Sequence, residues 1–298
     1  MRFTVLMTAL LLFSPPALAA GLDSPKVAAA PSDPDDGKIV DGVYVNQYFG
    51  LSYPLPPGWT EDVPGPDPSH SGYYVLSTLV PGNGERAMIL LTAYDTFFAA
   101  APFRGPPAMA GEISRTMAAI EGITIDVPPS VEMIAGRPFS RVDYSGFGLY
   151  RSAFITQIRC HLVSLNITTA TPELRAALVR SLDRLGRIDQ AGDADPVCRP
   201  NRAQPELVVA RVDPPASAPY APPIPVRLII DAAGGVRHVH VIRATAPQRT
   251  SIETALGQWR FRPFSLDDGA MALETGMLIQ FMPGGAVNYL PGDRVLPQ

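Results

Sequence analysis

Lysine is the scarcest charged residue in this chain of 298 residues. Its lysines are Lys26 and Lys38, and every other fixed cation is an arginine. Beyond the N-terminal segment, therefore, no lysine is present to form a Schiff base, hold a phosphate or act as a base. Charged residues make up 17% of the chain and the net charge is −4, without a basic block. We expect neither nucleic acid nor an anionic membrane surface as a partner.

Motifs of the common catalytic and cofactor sites are also missing. The sequence has no Gly-x-Ser-x-Gly elbow, His-Glu-x-x-His helix, Gly-x-Gly-x-x-Gly turn or phosphate-binding loop. Cys160 and His161 are adjacent, but neighbours in a strand point to opposite faces and make a poor nucleophilic pair. The sequence identifies no catalytic residue and no cofactor, although an enzyme whose residues meet only in the fold stays open.

Histidine occurs at four positions, and two of these have metal-ligand spacing. His238 and His240 alternate along a predicted strand, so they face the same side and could share a metal ion. We expect Val239 and Val241 to face inward and the two histidines to lie on the outer face. Because their hairpin offers no nearby carboxylate or cysteine, both histidines are weak candidates and we predict no metal site.

The N-terminus predicts export. Arg2 precedes an apolar run over residues 3–13, two prolines and the small residues Ala19 and Ala20, which is the pattern of a secretory signal peptide. A spanning helix needs about 20 apolar residues, so a retained anchor is the less favoured alternative. We expect a signal peptide over 1–20, cleaved after Ala19 or Ala20, and no later membrane span. The protein would then be periplasmic or secreted.

Two cysteines, Cys160 and Cys198, remain after the signal peptide. An even number of cysteines in an oxidising compartment favours one disulfide. Cys160 lies in a strand-like run and Cys198 in a polar connector, so the bond would pin the connector to the first domain. The alternative is one buried thiol and one exposed thiol.

Length and a hydrophobic content of 46% indicate a globular protein with room for two domains. We expect a flexible leader over 21–42, an α+β domain over 43–186, a Pro- and Asp-rich linker over 187–206, and a second domain over 207–298. Acidic residues cluster at 33–36, but their spacing does not fit a calcium loop. We expect this cluster to be solvated.

The first domain is predicted to be an antiparallel sheet with helices on one face. Apolar residues at helical spacing predict a helix over 109–120, and Thr171 and Pro172 begin a second helix that ends at Gly186. Residues rich in β-branched and aromatic side chains predict strands at 44–53, 73–80, 86–94, 130–134, 137–145 and 150–168. The aromatic opening strand followed by Pro57-Gly58-Trp59 resembles the start of PsbP/Mog1-like domains.

The second domain is predicted to have the order strand, strand, helix, strand. Residues 226–231 and 236–243 form a hairpin, Thr250 and Glu253 have the spacing of a capping box that starts a helix, and 275–282 form the last strand. The run Trp259-Arg260-Phe261-Arg262-Pro263, together with this element order, resembles the TonB C-terminal domain over about residues 207–283.

The resemblance to TonB implies a partner. In that family the last strand meets a segment of an outer-membrane receptor, so an envelope protein would add a strand at a free edge. The residues that this implies are Thr275, Met277, Leu278, Ile279, Gln280 and Phe281. The alternative is that the first domain or the tail, residues 286–298, covers this edge.

Two hypotheses on function follow. The first is an exported interaction protein that recruits a partner strand, in envelope transport or assembly. The second is a small-ligand-binding or hydrolytic first domain with the C-terminal unit as a scaffold. An apolar pocket between the helices and the sheet would favour the second hypothesis.

We predict that the protein, expressed in the periplasm, carries one disulfide because an oxidising compartment joins paired thiols. Mass spectrometry after alkylation should find no modified thiol at Cys160 or Cys198 until a reductant is added. Two alkylated cysteines in the unreduced protein would refute the bond.

Overall fold

The computed structural model describes residues 32–63, 65–98, 103–187, 196–200, 202–203, 205–215, 223–266 and 269–292. The predicted signal peptide over 1–20 lies outside these residues. Residues 31–298 belong to one compact unit that is mainly β, with a few helices. Within the described part of the chain, no helix is long and apolar enough to cross a membrane.

Two antiparallel sheets form the N-terminal half. Their strands are β1 (Lys38–Val40), β2 (Val43–Asn46), β3 (Leu51–Pro54), β4 (Trp59–Glu61), β5 (Tyr73–Pro81), β6 (Ala87–Asp95), β7 (Ile123–Ile134), β8 (Arg137–Gly146), β9 (Leu149–Ile158), β10 (His161–Thr169) and β11 (Gly186–Arg187). The smaller sheet has the order β1-β2-β3-β11, and the larger sheet has the order β4-β5-β6-β10-β9-β8-β7. The predicted antiparallel sheet is present, with more hairpins than expected.

Turns split two of the predicted strands. Residues 44–53 form β2 and β3, because Asn46 Oδ1 accepts a hydrogen bond from the Phe49 N–H at 3.0 Å and Gly50 takes a positive φ of 56°. Residues 150–168 form β9 and β10, which turn at Arg159 and Cys160. Cys160 therefore lies in a turn and not in a strand.

The two helices of this half pack on opposite faces of the larger sheet, so the prediction that they share one face is wrong. They are α1 (Pro106–Ala118) and α2 (Pro172–Ser181). Ile155 of β9 packs with α1, whereas its neighbour Phe154 belongs to the core that contains Leu178 of α2. Alternate residues of a strand point to opposite faces, so each helix covers its own side. As predicted, Thr171 caps α2: its hydroxyl accepts a hydrogen bond from the Leu174 N–H at 3.2 Å.

The predicted flexible leader is wrong for the residues that the structure describes, 32–42. Its strand β1 pairs with β2, and the Pro34 carbonyl accepts a hydrogen bond from Asn46 Nδ2 at 2.8 Å. Asp33 contacts His238. The sequence did not predict this ordered structure, because the carboxylates of the acidic cluster contact residues that are far away in the sequence.

The C-terminal half holds a third sheet. Its elements, with the short pairs around it, are β12 (Val197–Cys198), β13 (Val208–Ala210), β14 (Ile224–Ile230), β15 (Val236–Val241), α3 (Ala246–Leu256), β16 (Arg260–Phe261), β17 (Ser265–Leu266), β18 (Gly269–Ala270), β19 (Leu273–Phe281) and β20 (Val287–Pro291). The sheet order is β12-β19-β14-β15, and β20 also pairs with β19. Helix α3 covers one face, where Trp259 is fully buried in a second hydrophobic core. The predicted linker over 187–206 thus contributes a strand, β12.

Helix α3 begins earlier than the sequence predicts. Its N-cap is Thr245, whose backbone N–H donates to Gln248 Oε1 at 3.1 Å, and Pro247 lies in the first turn. A proline is well tolerated there because the first-turn N–H groups have no partner within the helix. The predicted capping box at Thr250 and Glu253 is therefore wrong, since both residues lie inside the helix.

The C-terminal sheet presses its second face against the N-terminal half. Ile242 and Leu278 belong to the N-terminal hydrophobic core, although both come from the C-terminal half. At Gly276 of β19 an added Cβ would lie 2.7 Å from Cζ of Phe98 and 3.2 Å from Cδ2 of Phe97. The division into two domains stays a prediction, but the two halves share this closely packed contact.

We predict that Gly276→Ala destabilises the protein by about 1–3 kcal/mol, because the Phe97 and Phe98 rings would have to move in a packed core. The matched control is Gly111→Ala in α1, where an added Cβ meets no atom within 4 Å. Replacing an unhindered helical glycine stabilises by roughly 0.5–1 kcal/mol. Urea unfolding of both variants measures the difference. Equal free energies of unfolding would contradict the close contact.

Candidate functional site

The predicted partner-binding strand is a central strand, so the prediction of a free edge at 275–282 is wrong. Strand β19 pairs with β14 along one side, from Ile224↔Ile279 to Ile230↔Leu273. Its other side pairs with β20 from Met277↔Pro291 to Phe281↔Val287, and with β12 at Leu273 and Glu274.

The side chains of the predicted partner-binding residues are engaged as well. Met277, Ile279 and Phe281 lie in the core under α3, and Leu278 lies in the N-terminal core. The remaining two are Thr275, whose hydroxyl accepts a hydrogen bond from the Arg202 N–H at 3.1 Å, and the half-buried Gln280. The alternative that the tail covers this edge is confirmed, because β20 lies within the tail. Backbone groups that are already paired cannot recruit another chain.

A buried ion network lies where the two halves meet. Arg227 of β14 is 2% exposed and faces Asp95 at the end of β6 and Glu274 of β19. Its guanidinium donates to Asp95 Oδ2, and to Glu274 Oε1 from Nη2 at 2.6 Å and from Nε at 3.1 Å. One arginine therefore binds a carboxylate from each half of the chain.

Aromatic side chains surround this network. Tyr48, in the β2–β3 turn, donates its hydroxyl to Glu274 Oε1. His161 lies with Nε2 3.7 Å from Asp95 Oδ2, and the rings of Tyr48, Phe49 and Tyr74 pack against it at centroid distances of 5.4, 5.2 and 5.8 Å. Every one of these side chains is buried. A substrate in solvent would not reach them, so the network is structural.

Burial and pairing set the ionisation of these groups. Burial raises the pKa of Asp95 and outweighs the opposing effect of Arg227. At Glu274 burial also opposes ionisation, but Arg227 and the Tyr48 hydroxyl outweigh it and hold the pKa below its usual value. Burial, and then the Arg227 charge, keep the pKa of His161 well below its usual range. His161 is therefore neutral at physiological pH.

Sequence reasoning did not find this network. Arg227 and Glu274 lie within residues 207–283, the range that resembles TonB, but the resemblance implied no role for either residue. The available signal was a charged residue inside an otherwise apolar strand, since such a residue is almost never buried without a partner. The identity of the partner could not be predicted, because Asp95 lies 132 positions before Arg227.

The predicted disulfide is present between Cys160 and Cys198, whose Cα atoms are 5.5 Å apart. It ties the β9–β10 turn to β12 and thus to the C-terminal sheet, and Cys160 Sγ lies 3.5 Å from Glu274 Oε2. A bond across a separation of 38 residues stabilises the fold by about 2–4 kcal/mol. Because Cys160 has no free thiol, it cannot act as a nucleophile beside His161.

His238 and His240 lie on the same side of β15, as predicted. The prediction that this side is the outer face of the sheet is wrong. His240 is buried, and its Nε2 lies 3.3 Å from the Tyr74 hydroxyl. His238 Nε2 lies 2.7 Å from Asp33 Oδ1, and His240 Nδ1 lies 2.8 Å from the same oxygen. Burial opposes ionisation of Asp33, yet the hydrogen bond with His238 and the close approach of the His240 ring outweigh it and hold its pKa below its usual value. The hairpin offers no carboxylate near these histidines, but Asp33 of the N-terminal segment supplies one.

Strand β7 is an outer strand of the seven-stranded sheet. It runs for 12 residues and pairs on one side with β8. Val131 and Met133, near its end, are 66% and 62% exposed. Among the described residues, no strand pairs with its outer side.

No protein-family model matches the sequence, and no curated protein matches it. Thirteen solved chains match, among them the solution structure of cyanobacterial PsbP (CyanoP) from Synechocystis sp. PCC 6803. The TM-score is 0.35 with 14% identity, and the match covers 49% of this chain and 91% of that one. A similarity this distant supports no argument on function. The resemblance to TonB has no support from these comparisons.

We predict that Arg227→Met destabilises the protein by about 3–5 kcal/mol, because Asp95 and Glu274 stay buried without their cation. The control is Arg115→Met, which breaks the exposed pair of Arg115 with Glu112 on α1 and costs less than about 1 kcal/mol. Urea unfolding at neutral pH measures both. If the two variants lose the same stability, the two halves do not depend on Arg227.

Proposed function

We propose that the protein works outside the cytoplasm as a binding protein of the cell envelope, and that it recruits an extended segment of a partner at β7. The observation that carries the proposal is a long outer strand with exposed apolar side chains, Val131 and Met133. Strand addition needs such an edge, because the partner takes up unpaired backbone N–H and C=O groups and apolar side chains anchor it.

Other outer strands suit this role less well. Those in the described parts of the chain are much shorter, with three residues in β1 and β4, five in β20 and six in β15. The edge of β15 is also partly closed, because the Val241 carbonyl accepts a hydrogen bond from Arg249 Nη1 at 2.6 Å. Strand β7 also carries two large apolar side chains that are more than 60% exposed, Val131 and Met133, and these favour it over the other outer strands.

The sequence of β7 indicates that only the second half of this strand could pair with a partner. Pro128 and Pro129 lack the N–H groups that a ladder needs. They divide the strand and leave residues 130–134 as a short edge. Natural edges are commonly protected by lysine, and this one has no lysine. A five-residue edge with two apolar side chains is enough for a specific contact without inviting general aggregation.

Two features support a site of action outside the cytoplasm. The disulfide between Cys160 and Cys198 is typical of oxidising compartments. The N-terminus has the pattern of a signal peptide. Envelope transport or assembly is the setting that these features favour for a protein that binds another protein.

The ligand-binding alternative has less support. A groove of about 280 Å³ lies at the turn between β7 and β8, where Ile134, Arg137 and Gln157 line it with Leu51 and Gly186. It does not lie between a helix and the sheet, where a buried apolar pocket was expected to favour a small ligand. We therefore propose no second function.

A photo-crosslinking amino acid at Ser130 should give a discrete adduct with one envelope protein in cells that export the protein, because Ser130 lies in the recruiting edge. The same amino acid at Val209, an exposed site at 63% on β13, should give none. Electrophoresis after irradiation, with mass spectrometry of the adduct, is the measurement.

Met133→Lys should lower the yield of the Ser130 adduct by about fivefold or more, since replacing an interface anchor costs at least ~1 kcal/mol. Val209→Lys, a charge added to an exposed apolar site elsewhere, should leave that yield unchanged. An adduct of equal yield from Ser130 and Val209, or no adduct from Ser130, would rule out recruitment at β7.

A further inference from the structure

We propose that Asp33, Asp35 and His240 form a binding site for one divalent transition-metal ion of the zinc class, in which His238 holds the Asp33 carboxylate in place. The site is independent of recruitment at β7, because it uses other residues. It lies between the segment before β1 and strand β15, and neither belongs to the seven-stranded sheet that contains β7. The residues of the site come from two segments that are about 200 residues apart in the sequence, as the separation of 205 between Asp33 and His238 shows.

Distances between the ligand atoms support the proposal. Oxygen or nitrogen atoms of Asp33, Asp35 and His240 all lie within 4.8 Å of one another. His238 Nε2 and His240 Nδ1 lie 2.7 and 2.8 Å from Asp33 Oδ1. Zinc ligands bind at about 2.0–2.2 Å from the ion, so the ligand atoms of Asp33, Asp35 and His240 can reach one ion through small side-chain movements.

A second observation points to a missing ligand partner. His240 is 2% exposed, and its Nδ1 has no hydrogen bond of acceptable geometry although it points into the cluster. Buried polar atoms are nearly always satisfied in folded proteins. An ion bound to Nδ1 would satisfy this atom and would also take up the carboxylate oxygen that both imidazoles now approach.

The surroundings of His240 prepare Nδ1 for a metal. Its other nitrogen, Nε2, lies 3.3 Å from the Tyr74 hydroxyl. In metal sites the nitrogen that does not bind the ion usually has such a partner, which fixes the ring and its tautomer. When Nε2 carries the proton and donates it to Tyr74, Nδ1 presents a lone pair to the cluster.

Charge and ligand type select the ion. Two carboxylates with neutral imidazoles carry two negative charges, which one divalent cation neutralises. An imidazole nitrogen among the ligands suits zinc, copper or nickel, whereas calcium takes six to eight oxygen ligands. Asp35 is exposed and Asp33 is half-buried, so the ion has a path from solvent.

The experiment is calorimetric titration of zinc chloride into the exported full-length protein, without an affinity tag and after treatment with a chelator. We expect saturable binding at a single site, and no comparable binding of calcium. Cobalt(II) in place of zinc should give the visible absorption of a low-coordinate site with nitrogen ligands.

His238→Gln should weaken zinc binding by about tenfold or more, because it removes the partner that orients the Asp33 carboxylate. Asp33→Asn, which replaces a ligand, should weaken it at least as much. The matched controls are His70→Gln and Asp183→Asn, which change the same residue types outside the cluster and should bind zinc as the wild type does. Thermal unfolding by circular dichroism shows whether each variant is folded, and Asp35→Asn, at an exposed position, repeats the test where folding is least affected. The proposal is overturned if the wild type does not bind zinc saturably, or if His238→Gln and Asp35→Asn bind it as tightly as the controls.

Discussion

The pairing of one buried arginine with carboxylates from both halves of the chain is the constraint on which the rest of the structure depends. Arg227 is fully desolvated, so it needs Asp95 and Glu274 within hydrogen-bonding reach. This requirement sets where the C-terminal sheet meets the N-terminal core. Once the sheet is there, Cys198 reaches Cys160, and His240 packs beside Tyr74.

A central position for β19 follows from the same arrangement. The chain returns after this strand and adds β20 to its side, while β12 extends the pairing near the disulfide. The sheet therefore pairs the backbone N–H and C=O groups of β19 that the resemblance to TonB implied would be free. Any strand addition must then use an outer strand, and β7 is the longest outer strand among the described residues.

The segment before β1 connects the N-terminal half of the chain to the C-terminal sheet. It looks like a solvated acidic tail, yet Asp33 reaches two histidines of the C-terminal sheet. A bound metal ion there would join the start of the ordered chain to β15 by coordination, much as the disulfide joins β12 to the β9–β10 turn by a covalent bond. Both links lie between the N-terminal half and the C-terminal sheet.

Patterns among neighbouring residues, together with the even number of cysteines, were enough to predict part of this structure. The sequence alone determined most strands of the α+β fold, the cap at Thr171, the hairpin of β14 and β15, and the cysteine pair, because each depends on neighbouring residues or on simple parity. Only the tertiary structure decided that β19 is central, that α1 and α2 lie on opposite faces, and that Asp33 meets His238. These outcomes depend on contacts between residues far apart in the chain, as between Tyr48 and Glu274 across 226 positions. No periodicity or motif encodes such distant partners, since burial and charge compensation choose them only when the chain is folded.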